Sequence, residues 1–465
     1  MKRLGVVIAD GVGYRNFILS DFLKEASALN DEVVIYSGLL KSVYHHQDIP
    51  NNVTIKELKI YRETSFTWLY RKLKEVAHMQ LHKKHFGIKC SLENGYPKKL
   101  KSKRDYLTLL VYWLTTVFKS ESWIKRYENW QYKTYTSNNT YREYLSVIKE
   151  NIPSHIFFSH QRPANLAPFL AAAKACNIPS SSFIFSWDNL ASKGRMLGDF
   201  DSYFVWSDLM KKELLHFYPS VKSEKVTIVG TPQFEPYVLE AYKKNKEYYH
   251  EYFNLDKDKK TIYYSCGDKS TSRLDPLYIK TIAEAIKNNK IKEEVNLIVR
   301  TSPAEDETRF LDLIDEYPFI KWNFPDWPLT RTDHPETWSQ RVPSFKDLCD
   351  LRALLAYSDI NINMCSTMSL DFILFDKPVI NAVFGNKENG LYNDQKYLKY
   401  VHYSHVIDTK GVVVAKNEDD LITAINLELA SPEKNKVNRD KILALEIGKP
   451  LKGTSKRIVE ALNQI

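Results

Sequence analysis

The strongest constraint on this chain is an alternation. Short apolar runs, each followed by an amphipathic stretch long enough for a helix, recur along nearly all of its 465 residues. A run of that kind buries both of its faces, and the helix after it carries the chain back to lay the next run parallel to the last. The runs fall in two series, at 4–9, 32–36, 53–60, 155–158, 182–186, 202–206 and 226–229, and then at 261–265, 295–300, 320–324, 360–364, 379–382 and 412–414. Helical patterns fill the gaps at 15–29, 164–176 and 208–217, and 453–465 reads as a final helix. A chain this long exceeds one core. The expected fold class is therefore α/β, with two Rossmann-like domains facing across a cleft. The first spans 1–236, with a basic and aromatic insertion at 62–137. A tyrosine-rich linker helix at 237–258 leads to the second domain at 259–445, and 446–465 is a C-terminal helix returning to the first. Ligands of such sheets bind beyond the carboxyl ends of the strands.

The chain is 43% hydrophobic and 26% charged, which excludes a disordered, collagenous or disulfide-framework protein. Five cysteines include no Cys-x-x-Cys pair, and their odd number suits a reducing, cytoplasmic compartment. The N-terminal apolar run passes straight into a turn and reads as a first strand rather than a signal peptide. Residues 62–104 hold twelve Lys and Arg against three acidic residues, which accounts for the whole formal excess of +9. The apolar segment after them, YLTLLVYWLTTVF at 106–118, is too short to span a bilayer. Together, 62–118 suggest either a surface lying on the anionic inner face of the cell membrane or a solvated helix beside a core helix. Nucleic acid is the weaker partner, since no nucleic-acid module is present. His78, His82 and His85 share one helix face, but no carboxylate or cysteine completes a metal site at useful spacing, so no metal or cofactor is expected.

The most informative passage is 359–380, DININ-MCSTMSLDFILFDKPVI. Its strand runs into Ser366 and Thr367, whose hydroxyls can cap a helix beginning near Met368, and such a helix start suits phosphate oxygens. Asp371 follows Thr367 by one turn, where a carboxylate can accept hydrogen bonds from ribose hydroxyls. The same spacing also fits an ordinary capped unit with a surface Asp. The loop 265–271, SCGDKST, offers Gly267 and Ser270 for phosphate. Arg300 stands at a strand end, where it can neutralise a departing phosphate or form a plain ion pair.

In the first series, Asp10 and Arg15 belong to DGVGYRN after the first run. Its Gly-x-Gly lacks the third glycine of a dinucleotide fingerprint, so bound NAD is not expected. His160 and Arg162 follow another run in SHQRP. Trp187, Asp188, Asn189 and Lys193 lie in FSWDNLASKG after the next. Three polar clusters at three strand ends suggest a site that binds an acceptor. Trp187 can stack on a sugar, Asp188 and Asn189 can bind hydroxyls, and Lys193 can approach an anion.

Two of these segments carry a resemblance. ST-x-S-L-D followed by D-K-P-V-I, and S-W-D-N-L-x-S-K-G, resemble segments of GT-B fold glycosyltransferases of bacterial surface-polysaccharide synthesis. The first is also similar to CDP-glycerol glycerophosphotransferases. The resemblance implies a nucleotide-sugar donor held by Ser366, Thr367 and Asp371, and Gly267, Ser270 and Arg300 join that donor site by their places after neighbouring strands. It implies a glycan or lipid-linked acceptor and catalysis without a metal; the acceptor-binding candidates are Trp187, Asp188, Asn189 and Lys193 of the second segment, with Arg15 and Arg162 added by their places near other strand ends. Asp10 is the first candidate for the base and His160 the second. Ser302 stands where many relatives place the His of an Arg/Lys-x-His-Pro element, which counts against the alternative of glycerophosphate transfer. A non-catalytic glycan- or membrane-binding assembly protein is the third reading.

Overall fold

In a computed structural model, which describes residues 2–45, 47–385 and 393–465, the chain divides into two compact units. The first comprises Met1–Glu235, Thr330–Val342 and Gly448–Ile465, and the second Pro236–Leu329 and Pro343–Ile447.

The first unit is built on seven strands: β1 (Arg3–Ile8), β2 (Glu32–Ser37), β3 (Val53–Glu57), β4 (His155–Phe158), β5 (Ser180–Phe183), β6 (Ser202–Val205) and β7 (Val226–Ile228). All pair in parallel, in the order β3-β2-β1-β4-β5-β6-β7. The order reverses direction between β1 and β4, the crevice where doubly wound sheets take their ligands. Leu4 faces His155 and Val7 faces Phe158, so this register brings the ends of β1 and β4 level. β5 is offset from the apolar run at 182–186 because three of its four residues are serines. They are tolerated inside because their hydroxyls are bonded: Ser181 Oγ lies 2.7 Å from His155 Nε2, and Ser182 Oγ donates to the Phe158 carbonyl.

The expected helix over 15–29 is two, Gly11–Phe17 and Phe22–Leu29, interrupted where Ser20 Oγ bonds the Asn16 carbonyl at 2.8 Å. Between β3 and β4 the insertion folds into the helices Ser65–Leu81, Phe86–Asn94, Lys103–Val117, Glu121–Lys133 and Asn139–Asn151. Ion pairs with little solvent access tie them down. Arg71 meets Glu63 and Glu75 at 2.8 Å each, and the buried Lys74 donates to the Leu197 carbonyl at 2.7 Å. The C-terminal helix Thr454–Leu462 packs in this unit, where the Ser455 amide donates to Glu235 Oε1 at 3.0 Å.

The second unit repeats the plan with β8 (Lys260–Ser265), β9 (Val295–Arg300), β10 (Lys321–Asn323), β11 (Ile360–Asn363), β12 (Val379–Ala382) and β13 (Val413–Ala415). The order is β10-β9-β8-β11-β12-β13, again all parallel, with its reversal between β8 and β11. The stretch before it is not one long helix. Pro236 sits inside a tight turn of 3-10 helix, and only Lys246–Tyr252 is α-helical, capped by Asn245.

Candidate active site

In the first unit the reversal point holds a carboxylate–imidazole pair. Asp10 follows β1 and His160 follows β4. Asp10 Oδ1 accepts the Gly13 amide at 2.7 Å, capping the helix Gly11–Phe17, while Oδ2 lies 2.9 Å from His160 Nδ1. The imidazole is also held on one face, stacked on Phe185 with centroids 3.9 Å apart and planes 21° off parallel. Phe185 is itself clamped. Gln161 Oε1 accepts its amide at 3.0 Å, and Gln161 Nε2 donates to Asn189 Oδ1 at 3.1 Å. The other ring nitrogen, His160 Nε2, is buried and has no hydrogen-bond partner among the described residues. An unsatisfied buried nitrogen costs about 1–3 kcal/mol, a cost His78 also bears, and it is the Asp10 and Phe185 contacts at the reversal point that set His160 apart.

The two glycines of DGVGYRN have steric rather than dinucleotide-binding reasons. A Cβ on Gly11 would lie 1.7 Å from the Arg341 carbonyl oxygen, and one on Gly13 would lie 2.8 Å from Ser159 Oγ. The segment Thr330–Val342 therefore closes directly over the start of this helix. A cavity of about 490 Å3 is lined by Tyr61, Arg62, Arg104, Asn165, His334 and Glu336. It draws on the loop after β4 and on that same segment, whose His334 Nε2 is 3.4 Å from Asn165 Nδ2.

The remaining first-unit candidates separate. Arg162 is half-buried and makes no hydrogen bond or ion pair among the described residues, whereas Arg15 is buried within its helix. Trp187 is only 3% exposed, which corrects the expectation that its face is open to a sugar. Asp188 works inside its own loop. It accepts from Ser186 Oγ at 2.6 Å and Asn189 Nδ2 at 3.0 Å, with Lys193 Nζ 3.6 Å away. Asn189 is buried against Gln161, so Asp188 and Asn189 brace the histidine's support. Glu213, absent from the sequence candidates, is buried on the helix Asp208–Phe217 with Oε1 unpartnered. Burial, reinforced by the nearby Asp188 charge, raises its carboxyl to about 8. It is a proton-bearing acid at neutral pH. His78, His82 and His85 do not gather a metal set either: His78 is buried with both ring nitrogens unpartnered, and His85 Nε2 sits 3.0 Å from His216 Nε2. Among the described residues no group of three or more His, Cys, Asp or Glu is arranged to hold a metal ion.

In the second unit the reversal point is polar throughout. Asn361, Asn363, Asn381, Ser369 and Tyr403 are buried and bonded to one another. Asn363 Oδ1 also accepts the Ser366 amide at 2.8 Å, which fixes the turn carrying Ser366 and Thr367, both half-buried. The helix that follows, Met368–Ile373, is only six residues long. Ser366 Oγ accepts the Met368 amide at 3.3 Å from the position before the N-cap, whereas the N-cap residue, Thr367, makes no side-chain capping bond, which corrects the expectation that both hydroxyls cap this helix.

Three donor expectations are corrected. Asp371 is buried and accepts a hydrogen bond from the Tyr237 hydroxyl rather than facing outward. Arg300 is buried with Nη2 on both oxygens of Asp347, at 2.9 and 2.7 Å, so the charge it would lend a phosphate is already neutralised. The amides of Gly267, Lys269 and Ser270 do not cradle an anion, because each already donates to a carboxylate. Gly267 donates to Asp275 Oδ2 at 3.0 Å, Ser270 to Asp268 Oδ1 at 2.8 Å, and Lys269 to Glu305. The exposed side chains of Lys269 and Arg273, which the sequence reading did not single out, carry no ion pair among the described residues.

No protein-family model matches the chain, and no curated protein matches its sequence. Solved structures do match its fold. A UDP-bound MnaA from S. aureus superposes with a TM-score of 0.56 at 12% identity, covering 100% of this chain and 98% of that one. The UDP-GlcNAc 2-epimerase of Methanocaldococcus jannaschii gives 0.56 at 12% identity, with both chains fully covered. That of Neisseria meningitidis, bound to UDP-GlcNAc, gives 0.53 at 12%, again over the whole of both. With two parallel sheets of the same strand order, each flanked by helices, the chain has the GT-B fold.

Proposed function

We propose that this protein is a glycosyltransferase that moves a sugar from a nucleotide-diphosphate donor to a hydroxyl of a glycan or lipid-linked acceptor. The observation that carries the reading is His160. Its ring is fixed on one edge by Asp10 and on one face by Phe185, and it keeps an unbonded Nε2 at the reversal point of the first sheet. A base that takes the proton of an attacking hydroxyl needs that arrangement. His160 is thus the base and Asp10 its positioning residue, an inversion of the order suggested by sequence. The acceptor would enter the cavity beside Asn165 and His334, with Arg162 near its anionic groups. The donor would lie on the second unit, its diphosphate between the Ser366–Thr367 turn and the side chains of Lys269 and Arg273, which would stabilise the leaving charge. Nucleotide release from a panel of sugar nucleotides, with and without polysaccharide or lipid-linked acceptors, tests this. Acceptor-dependent release that disappears in His160→Ala supports transfer. Release that His160→Ala leaves intact removes the assignment.

The similar structures named UDP-GlcNAc 2-epimerases favour a second reading, in which the same imidazole withdraws a proton from the sugar of a bound nucleotide sugar. Incubation with UDP-GlcNAc in deuterated water separates the two. Deuterium entering the sugar without any acceptor supports epimerisation, and its absence beside acceptor-dependent release supports transfer.

A further inference from the structure

We infer that the outer face of the helix Lys103–Val117 is a docking surface for an anionic lipid bilayer. The helix buries Thr108, Val111, Tyr112 and Thr115 on one side, and Tyr112 donates to the Leu92 carbonyl at 2.7 Å. Its opposite side should be polar, as on other surface helices. Instead Tyr106, Leu110, Trp113 and Val117, spaced i, i+4, i+7 and i+11, form one exposed stripe. Trp113 is 69% exposed and Val117 70%. The stripe runs roughly 17 Å along the helix and borders an open cleft of about 710 Å3. Leu92, Tyr96 and Trp113 line that cleft together with Lys83, Lys84 and Lys89.

Charge identifies the occupant. Lys83 and Lys84 beside the cleft, and Lys98, Lys99, Lys101 and Lys103 leading into the helix, are exposed and carry no ion pair among the described residues. A second copy of the chain docking here would bring the same positive charge against itself. Anionic headgroups complement the lysines, while Trp and Tyr sit readily at the boundary between headgroup and acyl chain. No helix among the described residues is long and apolar enough to cross a membrane, so the contact is one of lying on the surface. The inference is independent of the reaction assigned to His160.

Co-sedimentation of the full chain with vesicles tests it. Vesicles of equal parts phosphatidylglycerol and phosphatidylcholine should bind it, and pure phosphatidylcholine should not. Raising salt to about 0.5 M should weaken binding at least tenfold, since the Debye length shrinks to a few Å. Each lysine near the surface contributes roughly fivefold in partitioning, so Lys83→Gln with Lys84→Gln should lower it roughly 25-fold. Leu110→Glu with Trp113→Glu should abolish it while leaving the circular dichroism spectrum and melting temperature unchanged. The proposal is overturned if anionic vesicles fail to bind the wild-type chain, or if they bind it and the variants equally. It is also overturned if sedimentation velocity shows that Leu110→Glu with Trp113→Glu dissociates an oligomer while vesicle binding stays the same. The lipid and salt dependence of the unaltered protein decides the matter even if a variant fails to fold.

Discussion

Replacing Asp10 by Asn separates the two tasks this side chain performs. As a helix cap it accepts the Gly13 amide at 2.7 Å, and Asn caps as well as Asp, so folding stability should change by less than about 0.5 kcal/mol. As the partner of His160 Nδ1 at 2.9 Å it supplies a negative charge, which Asn lacks. If the imidazole takes a proton during turnover, that charge stabilises the imidazolium, and hydrogen bonds to charged groups contribute about 1.5–3 kcal/mol. At 1.36 kcal/mol per tenfold, kcat should fall by about 10- to 150-fold with KM little altered. Asp10→Ala removes the cap as well and should add about 1 kcal/mol of destabilisation, read as an earlier chemical-denaturation midpoint. The assay is steady-state nucleotide release beside a denaturation curve for each variant. An Asn variant with full kcat would refute the positioning role. So would a loss confined to KM, because that would make Asp10 a binding group.

Three further outcomes follow from the same geometry. Asp347→Ala strands the buried Arg300 guanidinium without its partner and should cost about 3–5 kcal/mol, measured as a large fall in the melting temperature. Glu213, whose folded-state value is raised from 4.5 to about 8, favours the folded state fully below pH 4.5 and loses that contribution as pH climbs to 8; the integrated effect is at most about 5 kcal/mol, and Glu213→Gln should flatten this part of the stability–pH profile. Gly11→Ala would press a methyl into the Arg341 carbonyl, so it should destabilise by about 3 kcal/mol and speed proteolysis within 330–342, readable by mass spectrometry of a limited digest.

What could be read from the chain beforehand follows the range of the interactions involved. Alternating apolar runs are local, and they mark eleven of the thirteen strands to within a residue or two, the run at 53–60 overshooting β3 by three residues. The other exception, β5, is a strand of serines whose burial depends on partners in neighbouring strands. Arg300 and Asp347 are 47 residues apart, and nothing near Arg300 announces that its charge is already matched. The same holds for Thr330–Val342, which joins the first unit through contacts such as that of Arg341 with Gly11. Glu213 did leave a signal. It occupies the face shared by Met210, Leu214 and Phe217, so a carboxyl on an otherwise apolar stripe foretold its burial.

The pairing of Asp10 with His160, on which the proposed choice of base rests, shows how topology and local chemistry combine. Both residues end strands that sequence places 150 positions apart, and either alone is a polar side chain at a strand terminus. The crossover order sets β1 beside β4, and the register of Leu4 with His155 brings the two ends level. Once adjacent, their roles are no longer interchangeable. Both carboxylate oxygens of Asp10 are engaged, one by the helix cap and one by the imidazole, whereas the imidazole has a second nitrogen with nothing bonded to it. The Asp10 carboxylate keeps further lone pairs, but each of its oxygens is already committed to a structural contact, whereas His160 Nε2 is committed to none. On the reading proposed above, the fold makes the more obvious carboxylate the support and leaves the histidine as the base.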